Sequence, residues 1–266
     1  LFRSGIYMTT KMIGTGSYLP EHVVSNDDLV KLVDTSDEWI ASRTGIRNRR
    51  IATKESGADM AAAAAREALR DAGMDGSEID LILVATCSSD FQFPSTACLV
   101  QKAINATKAA AFDLSAACSG FLFALHTAHA YICAGIYKNV LLVGVEVLSK
   151  LIDWKDRSTC VLFGDGAGAA VVTAADHGLE GFVQWSDGAG GEVLTCPGRA
   201  MGNPWKENAS ETGYIQMSGQ EVFRFAVKKV PECIRQVTEK TGTKLETIDW
   251  FVLHQANSRI IQSVAK

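Results

Sequence analysis

The chain has 266 residues, 47% of them hydrophobic, and a formal net charge of −4 with a pI near 5.8. That length and apolar content suffice for a large core, in one domain or two smaller halves. The acidic balance argues against nucleic acid as the main partner, and no apolar run is long enough to span a bilayer.

Seven cysteines stand at positions 87, 98, 118, 133, 160, 196 and 233. None forms a CxxC pair, so no metal site is expected. The odd count, and residues 1–7 without the apolar centre of a signal peptide, point to a reducing, cytoplasmic setting. Met8 is a candidate start, with 1–7 an upstream extension.

Helical and strand patterns alternate along the chain. Residues 11–17 read as a strand. Ser25 opens a cap before a helix over 28–33, and Ser36 caps a short helix through Trp39. The alanine-rich stretch 56–72 is helical and ends at Gly73. Residues 80–86 form a buried strand, 95–104 a helix and 109–114 a strand. A helix over 118–133 ends at Gly135, followed by strands over 139–147 and 166–174. This is a mostly α/β architecture with buried strands.

An internal echo follows. Ser56-Gly57 opens a helix to Gly73, then Ile79-Asp80 and a strand. Ser218-Gly219 opens a helix to Gly242, then Ile248-Asp249 and an expected second strand ending at His254. The chain therefore reads as two duplicated halves, 1–175 and 176–266.

Cys118 lies among small residues, Ser115-Ala116-Ala117-Cys118-Ser119-Gly120, where a strand gives way to a helix. Backbone N–H groups and the helix dipole there are expected to favour a thiolate nucleophile. A buried core cysteine is the plain alternative. His254, before Gln255-Ala256-Asn257, stands at the end of the second strand and offers a base or hydrogen-bond donor; a satisfied polar group is its plain alternative. Together they suggest acyl transfer through a thioester. His126 and His129 sit too far along the helix to meet Cys118 and read as packing or surface residues. The glycine run 163–168 leads into a strand rather than a helix, so it reads as a turn and not a phosphate cradle. The basic run 42–50 is either a solvated face or a phosphate site. In the second case Trp39 and Arg43 would sandwich a flat ring such as the adenine of coenzyme A, with Arg157 adding a contact.

These residues resemble the β-ketoacyl-acyl-carrier-protein synthase III family across nearly the whole chain from Lys11. The matching runs are 14–20, Thr35-Ser36-Asp37-Glu38-Trp39-Ile40, Arg43-Thr44-Gly45-Ile46-Arg47, Phe93-Pro94-Ser95, Ala116-Ala117-Cys118-Ser119-Gly120, 163–169 and His254-Gln255-Ala256-Asn257. The resemblance implies a five-layered αβαβα thiolase-like fold, a homodimer, and decarboxylative condensation of an acyl-CoA, acetyl-CoA by expectation, with malonyl-acyl carrier protein. No permanent cofactor is implied; the coenzyme A thioester is a substrate.

By the same resemblance Cys118 is the acylated nucleophile and His254 one member of a Cys-His-Asn triad. Trp39, Arg43 and Arg157 clasp adenine. Phe223 lines the pantetheine tunnel, and Gln220 replaces an asparagine that holds the pantetheine arm. Phe93 closes the partner's acyl site. Arg259, Arg224 and Lys266 dock the acyl carrier protein. Relatives continue past Lys266 with the triad asparagine, so the second half is expected to be incomplete. The alternatives are a condensing enzyme of polyketide or quinolone synthesis, or a non-catalytic subunit that binds acyl groups or carrier protein.

Overall fold

The computed structural model describes residues 8–198, 205 and 213–266; the segment 1–7, read as an upstream extension, lies outside them. In chain order the regular elements are β1 (Thr9–Tyr18), β2 (Val23–Ser25), α1 (Asn26–Val30), α2 (Asp37–Thr44), β3 (Asn48–Arg50), α3 (Gly57–Ala72), β4 (Leu81–Ala85), α4 (Thr96–Ala103), β5 (Ala110–Leu114), α5 (Gly120–Cys133), β6 (Asn139–Val147), α6 (Arg157–Cys160), β7 (Asp165–Ala175), β8 (Leu194–Thr195), β9 (Gln216–Met217), α7 (Gly219–Thr241) and α8 (Ser258–Val264).

They gather into two compact units. The first comprises Leu1–His22, Arg50–Val147 and Gly164–Phe182; the second comprises Val23–Arg49, Leu148–Phe163 and Val183–Lys266. Both units are discontinuous in sequence.

The first unit is built on a five-stranded sheet in the order β1-β7-β6-β4-β5. β4 runs parallel to β5 and β6, while β7 runs antiparallel to β6 and β1. All five residues of β4 are buried, as expected of a parallel strand covered on both faces. Alternation then sorts the side chains. Ile82 and Val84 join Met60, Ala64, Ala68 and Val100 of α3 and α4. Leu81 and Leu83 join Ala124, Ala128 and Ile132 of α5.

The second unit has a smaller core of Leu29, Ile40, Ile152, Cys160, Val161 and Ile215. Within it the buried Arg49 guanidinium donates to the carbonyls of Val24 and Val161 and to Asn26 Oδ1. α2 extends past Trp39 to Thr44, which brings Arg43 onto the helix one turn after the indole.

The echo between α3 and α7 is visible through most of its length. Each helix follows a serine and ends at a left-handed glycine, Gly73 at φ 63° and Gly242 at φ 69°, a conformation costly for residues with a Cβ. A 3₁₀ turn follows each, Gly76–Glu78 and Leu245–Thr247. The first echo then enters β4. The second does not become a strand, and the expectation for 248–254 is corrected. Among the described residues none pairs with this segment, and Trp250 and Val252 are 86% and 90% exposed. An apolar run becomes a strand only where a neighbour completes the hydrogen-bond ladder.

Candidate active site

Cys118 belongs to the first unit. β5 ends at Leu114, and a 3₁₀ turn (Ala117–Ser119) precedes α5 at Gly120. The helix thus begins two residues later than the sequence pattern suggested. Ala117 holds φ 44°, a left-handed conformation that costs an alanine about 1–2 kcal/mol; such strain clusters at functional turns. The turn is pressed onto the sheet, because a Cβ placed on Gly120 would lie 2.9 Å from Ala85 Cβ. A glycine permits this approach, and Cys118 stays exposed.

Electrostatics around the sulfur differ from the expectation of a dipole-stabilised thiolate. Burial by surrounding atoms, and additionally the Glu146 carboxylate, push the Cys118 thiol up, while its own backbone N–H pulls the other way. The thiol is exposed at its surface but poorly hydrated as an anion, and desolvation outweighs the donor. Glu146 was missed in the sequence. It accepts from Cys87 N–H at 2.9 Å, from Cys87 Sγ at 3.1 Å and from Ser88 Oγ. The Ser88 hydroxyl in turn accepts from Val147 N–H at 2.7 Å. A lone carboxylate near the end of the apolar strand Val140-Leu141-Leu142-Val143-Gly144-Val145-Glu146-Val147 was the available signal.

His254 belongs to the second unit, in the irregular segment before α8. Its surface is open to solvent, yet the protein atoms packed around the ring desolvate the imidazolium and push its pKa down from the usual value. The ring is therefore neutral at pH 7, with one nitrogen donating and one accepting. Asn257 caps α8, its Oδ1 accepting from Arg259 N–H at 2.8 Å.

The second unit also brings together Trp39, Arg43 and Arg157. The Arg43 guanidinium lies 4.6 Å and the Arg157 guanidinium 4.8 Å from the indole centroid. Ser36 Oγ caps α2 by accepting from Trp39 N–H. Arg157 is held by donating to the Asp34 carbonyl at 2.8 Å. The rest of the basic run is engaged elsewhere: Arg47 pairs with Asp37 at 2.9 Å, Arg49 is buried, and Arg50 donates to the Pro20 carbonyl. Arg43 is thus the member of the run that stands on the tryptophan.

Gln220 and Arg224 are exposed and Phe223 half-buried on the first turns of α7. Arg224 pairs with Glu221. Lys229 lies 4.2 Å from the Trp185 ring centroid, and Phe225 packs against the same ring. α7 packs on α8, and α8 on α2. Arg259 Nε donates to the Ser42 carbonyl at 3.1 Å, while Lys266 is exposed.

Phe93, in the first unit, is 86% exposed. The glycine run enters β7 directly, as expected, and Asp165 there accepts from Ala52 N–H at 2.7 Å. His126 and His129 pack on Phe182. Among the described residues no cluster of three or more His, Cys, Asp or Glu could hold a metal ion, and no helix is long and apolar enough to cross a membrane.

Comparison with known proteins places this arrangement. Residues 112–191, which include the Cys118 turn, match the sequence model of 3-oxoacyl-[acyl-carrier-protein (ACP)] synthase III. The β-ketoacyl-[acyl-carrier-protein] synthase III of Clostridium acetobutylicum is 51% identical over 260 residues, covering 97% of this chain and 80% of that protein. The crystal structure of 3-oxoacyl-[acyl-carrier-protein] synthase III from Aquifex aeolicus VF5 superimposes with a TM-score of 0.89 at 49% identity, covering 96% of this chain and 80% of that one. A priming β-ketosynthase of the R1128 polyketide pathway superimposes with a TM-score of 0.91 at 38% identity, covering 99% and 79%. The chain belongs to the β-ketoacyl-acyl-carrier-protein synthase III family, acyltransferase condensing enzymes of fatty acid synthesis with a thiolase-like fold.

Proposed function

We propose that the protein starts fatty acid chains by condensing an acyl-CoA primer, acetyl-CoA in the first instance, with malonyl-acyl carrier protein. The observation that carries this reading is the Cys118 turn, an exposed sulfur on a strained corner between β5 and α5. Cys118 attacks the primer thioester. Backbone N–H groups at the turn hold the tetrahedral oxyanion, and coenzyme A leaves. Because burial and Glu146 favour the thiol, the Cys118 proton passes to the departing coenzyme A sulfur, which leaves as the free thiol.

Malonyl-acyl carrier protein follows. Loss of carbon dioxide puts negative charge on its thioester oxygen, and the neutral His254 imidazole donates a hydrogen bond to that oxygen. The carbanion equivalent then attacks the acyl group on Cys118; the C–S bond breaks, Cys118 regains a proton, and the β-ketoacyl-acyl carrier protein leaves. Side chains of the protein serve this chemistry without a permanent cofactor.

The Trp39, Arg43 and Arg157 stack supports an adenine site for coenzyme A, with Gln220 and Phe223 along the pantetheine arm. Arg259, Arg224 and Lys266 are assigned to docking the acyl carrier protein. The exposed Phe93 suits a homodimer in which it reaches the partner's acyl site. The reading also includes duplicated halves meeting near 175 and a cytoplasmic location.

Priming of a polyketide chain is a second reading, favoured by the similarity to the R1128 ketosynthase. The test compares condensation with malonyl-acyl carrier protein and with malonyl-CoA, across acetyl and longer primers. Preference for the carrier-protein substrate and acetyl-CoA supports the first reading; preference for malonyl-CoA or a long primer rejects it. His254→Ala should accept the acetyl group yet fail to condense, and normal condensation by that variant removes the role given to the histidine.

A further inference from the structure

Cys87 and Cys118 leave neighbouring strands of one sheet at the same end. β4 and β5 are parallel with Ala85 opposite Leu114, and Thr86 N–H still donates to the Leu114 carbonyl at 3.1 Å. The two chains are therefore paired up to the residue before Cys87, at the usual spacing of about 4.8 Å. The turn after β5 then folds over β4, as the contact of Gly120 with Ala85 requires. That sets Cys118 above the strand end from which Cys87 emerges.

One carboxylate serves both. Glu146 Oε1 accepts from Cys87 Sγ at 3.1 Å, and its charge acts on the Cys118 sulfur. Both cysteine side chains are exposed, whereas Cys160 is buried. Cys98 Sγ donates to the Ala111 carbonyl at 3.8 Å, three residues before the end of β5, and Cys133 lies at the far end of α5.

We infer that Cys87 is a resolving thiol for Cys118, so that the two form a reversible disulfide under peroxide. Hydrogen peroxide first transfers one oxygen to the Cys118 sulfur, giving the sulfenic acid and releasing water. The Cys87 sulfur then attacks Cys118. The S–S bond forms, the S–O bond breaks, and hydroxide leaves as water with the Cys87 proton. The Cys87 S–H already donates to Glu146, which relays that proton. A dithiol reductant restores both thiols. Burial and Glu146 hold Cys118 as the thiol, so the first step is slow at neutral pH and quickens as pH rises. The inference concerns sulfur chemistry and is independent of the primer.

The test treats the reduced protein with hydrogen peroxide, digests it without reductant and maps the peptides by mass spectrometry. The expected product joins the peptides carrying Cys87 and Cys118. Dithiothreitol should then restore most of the acetyl-accepting capacity. In Cys87→Ser and Cys87→Ala, Cys118 should proceed to sulfinic acid, and recovery should fall several-fold below wild type, each measured against its own unoxidised capacity. The inference is overturned if wild-type Cys118 reaches sulfinic acid as readily as in the variants, or if it joins a different cysteine. The peptide map reads the disulfide directly, so it gives an answer even where condensation fails.

Discussion

Arg157 lays its guanidinium 4.8 Å from the centre of the Trp39 indole while donating to the Asp34 carbonyl. With Arg43 at 4.6 Å, the tryptophan carries two cations on a rigid helix start. Cation–π contacts of this kind contribute about 0.5–2 kcal/mol each. Trp39→Ala should therefore raise KM for acetyl-CoA by at least ~3-fold, with a smaller effect on kcat. Acylation by an acyl-pantetheine lacking adenine should be unchanged. Equal losses with both substrates would contradict an adenine site.

Glu146 supplies a second prediction. Its negative charge helps to push the Cys118 thiol up. Glu146→Gln removes the charge and keeps the shape that receives the Cys87 and Ser88 hydrogen bonds. The thiol should then ionise at lower pH. The pH profile for alkylation of Cys118 by iodoacetamide should move to the acid side; an unmoved profile would show that desolvation alone sets the thiol.

A third prediction concerns the α3 cap. Ser56 Oγ accepts from Asp59 N–H at 3.1 Å, and the Asp59 carboxylate accepts from Ser56 N–H at 3.0 Å and from its hydroxyl. Ser56→Ala should cost about 1 kcal/mol in urea unfolding. The Ser56 hydrogen bonds hold the Asp59 carboxyl below its ordinary value. Its share of stability is thus complete above the unfolded carboxyl value of about 4 and fades as pH falls through the lower folded value. The deficit of Ser56→Ala should shrink on acidification through that window; a deficit constant with pH would contradict the paired cap.

Much of this structure was legible because its signals are local. Ser25, Ser36, Ser56 and Ser95 each precede the helix they cap, and all four side chains accept a backbone N–H, although the helix after Ser25 covers Asn26–Val30 rather than 28–33. β6 was expected over 139–147 and spans Asn139–Val147. The corner at Cys118 was readable from small residues after an apolar strand, although its helix starts only at Gly120.

What escaped was non-local. The run Trp250-Phe251-Val252-Leu253 has a strand's composition, yet strand formation depends on a partner that no local pattern reports. Burial chiefly sets the state of Cys118, and Glu146 adds to it, distant in sequence and brought near because β6 and β4 run side by side. Arg49 was counted with a basic surface run, whereas the fold buries it against three oxygens.

Docking of the carrier protein gives a fourth prediction. Arg259 is exposed and linked to Ser42 through its Nε. Arg259→Glu should weaken use of malonyl-acyl carrier protein about tenfold or more, the cost of reversing a charge at an interface. Acylation by acetyl-CoA should change far less. Equal losses in both half-reactions would remove Arg259 from the docking surface.

The central claim is that the sulfur at the β5–α5 corner carries the acyl group between two substrates. Intact-mass analysis after incubation with acetyl-CoA alone tests it most directly, followed by peptide mapping. The wild type should gain one acetyl group located on Cys118, and Cys118→Ala should gain none. An acetyl group on another residue, or one retained by Cys118→Ala, would contradict the account.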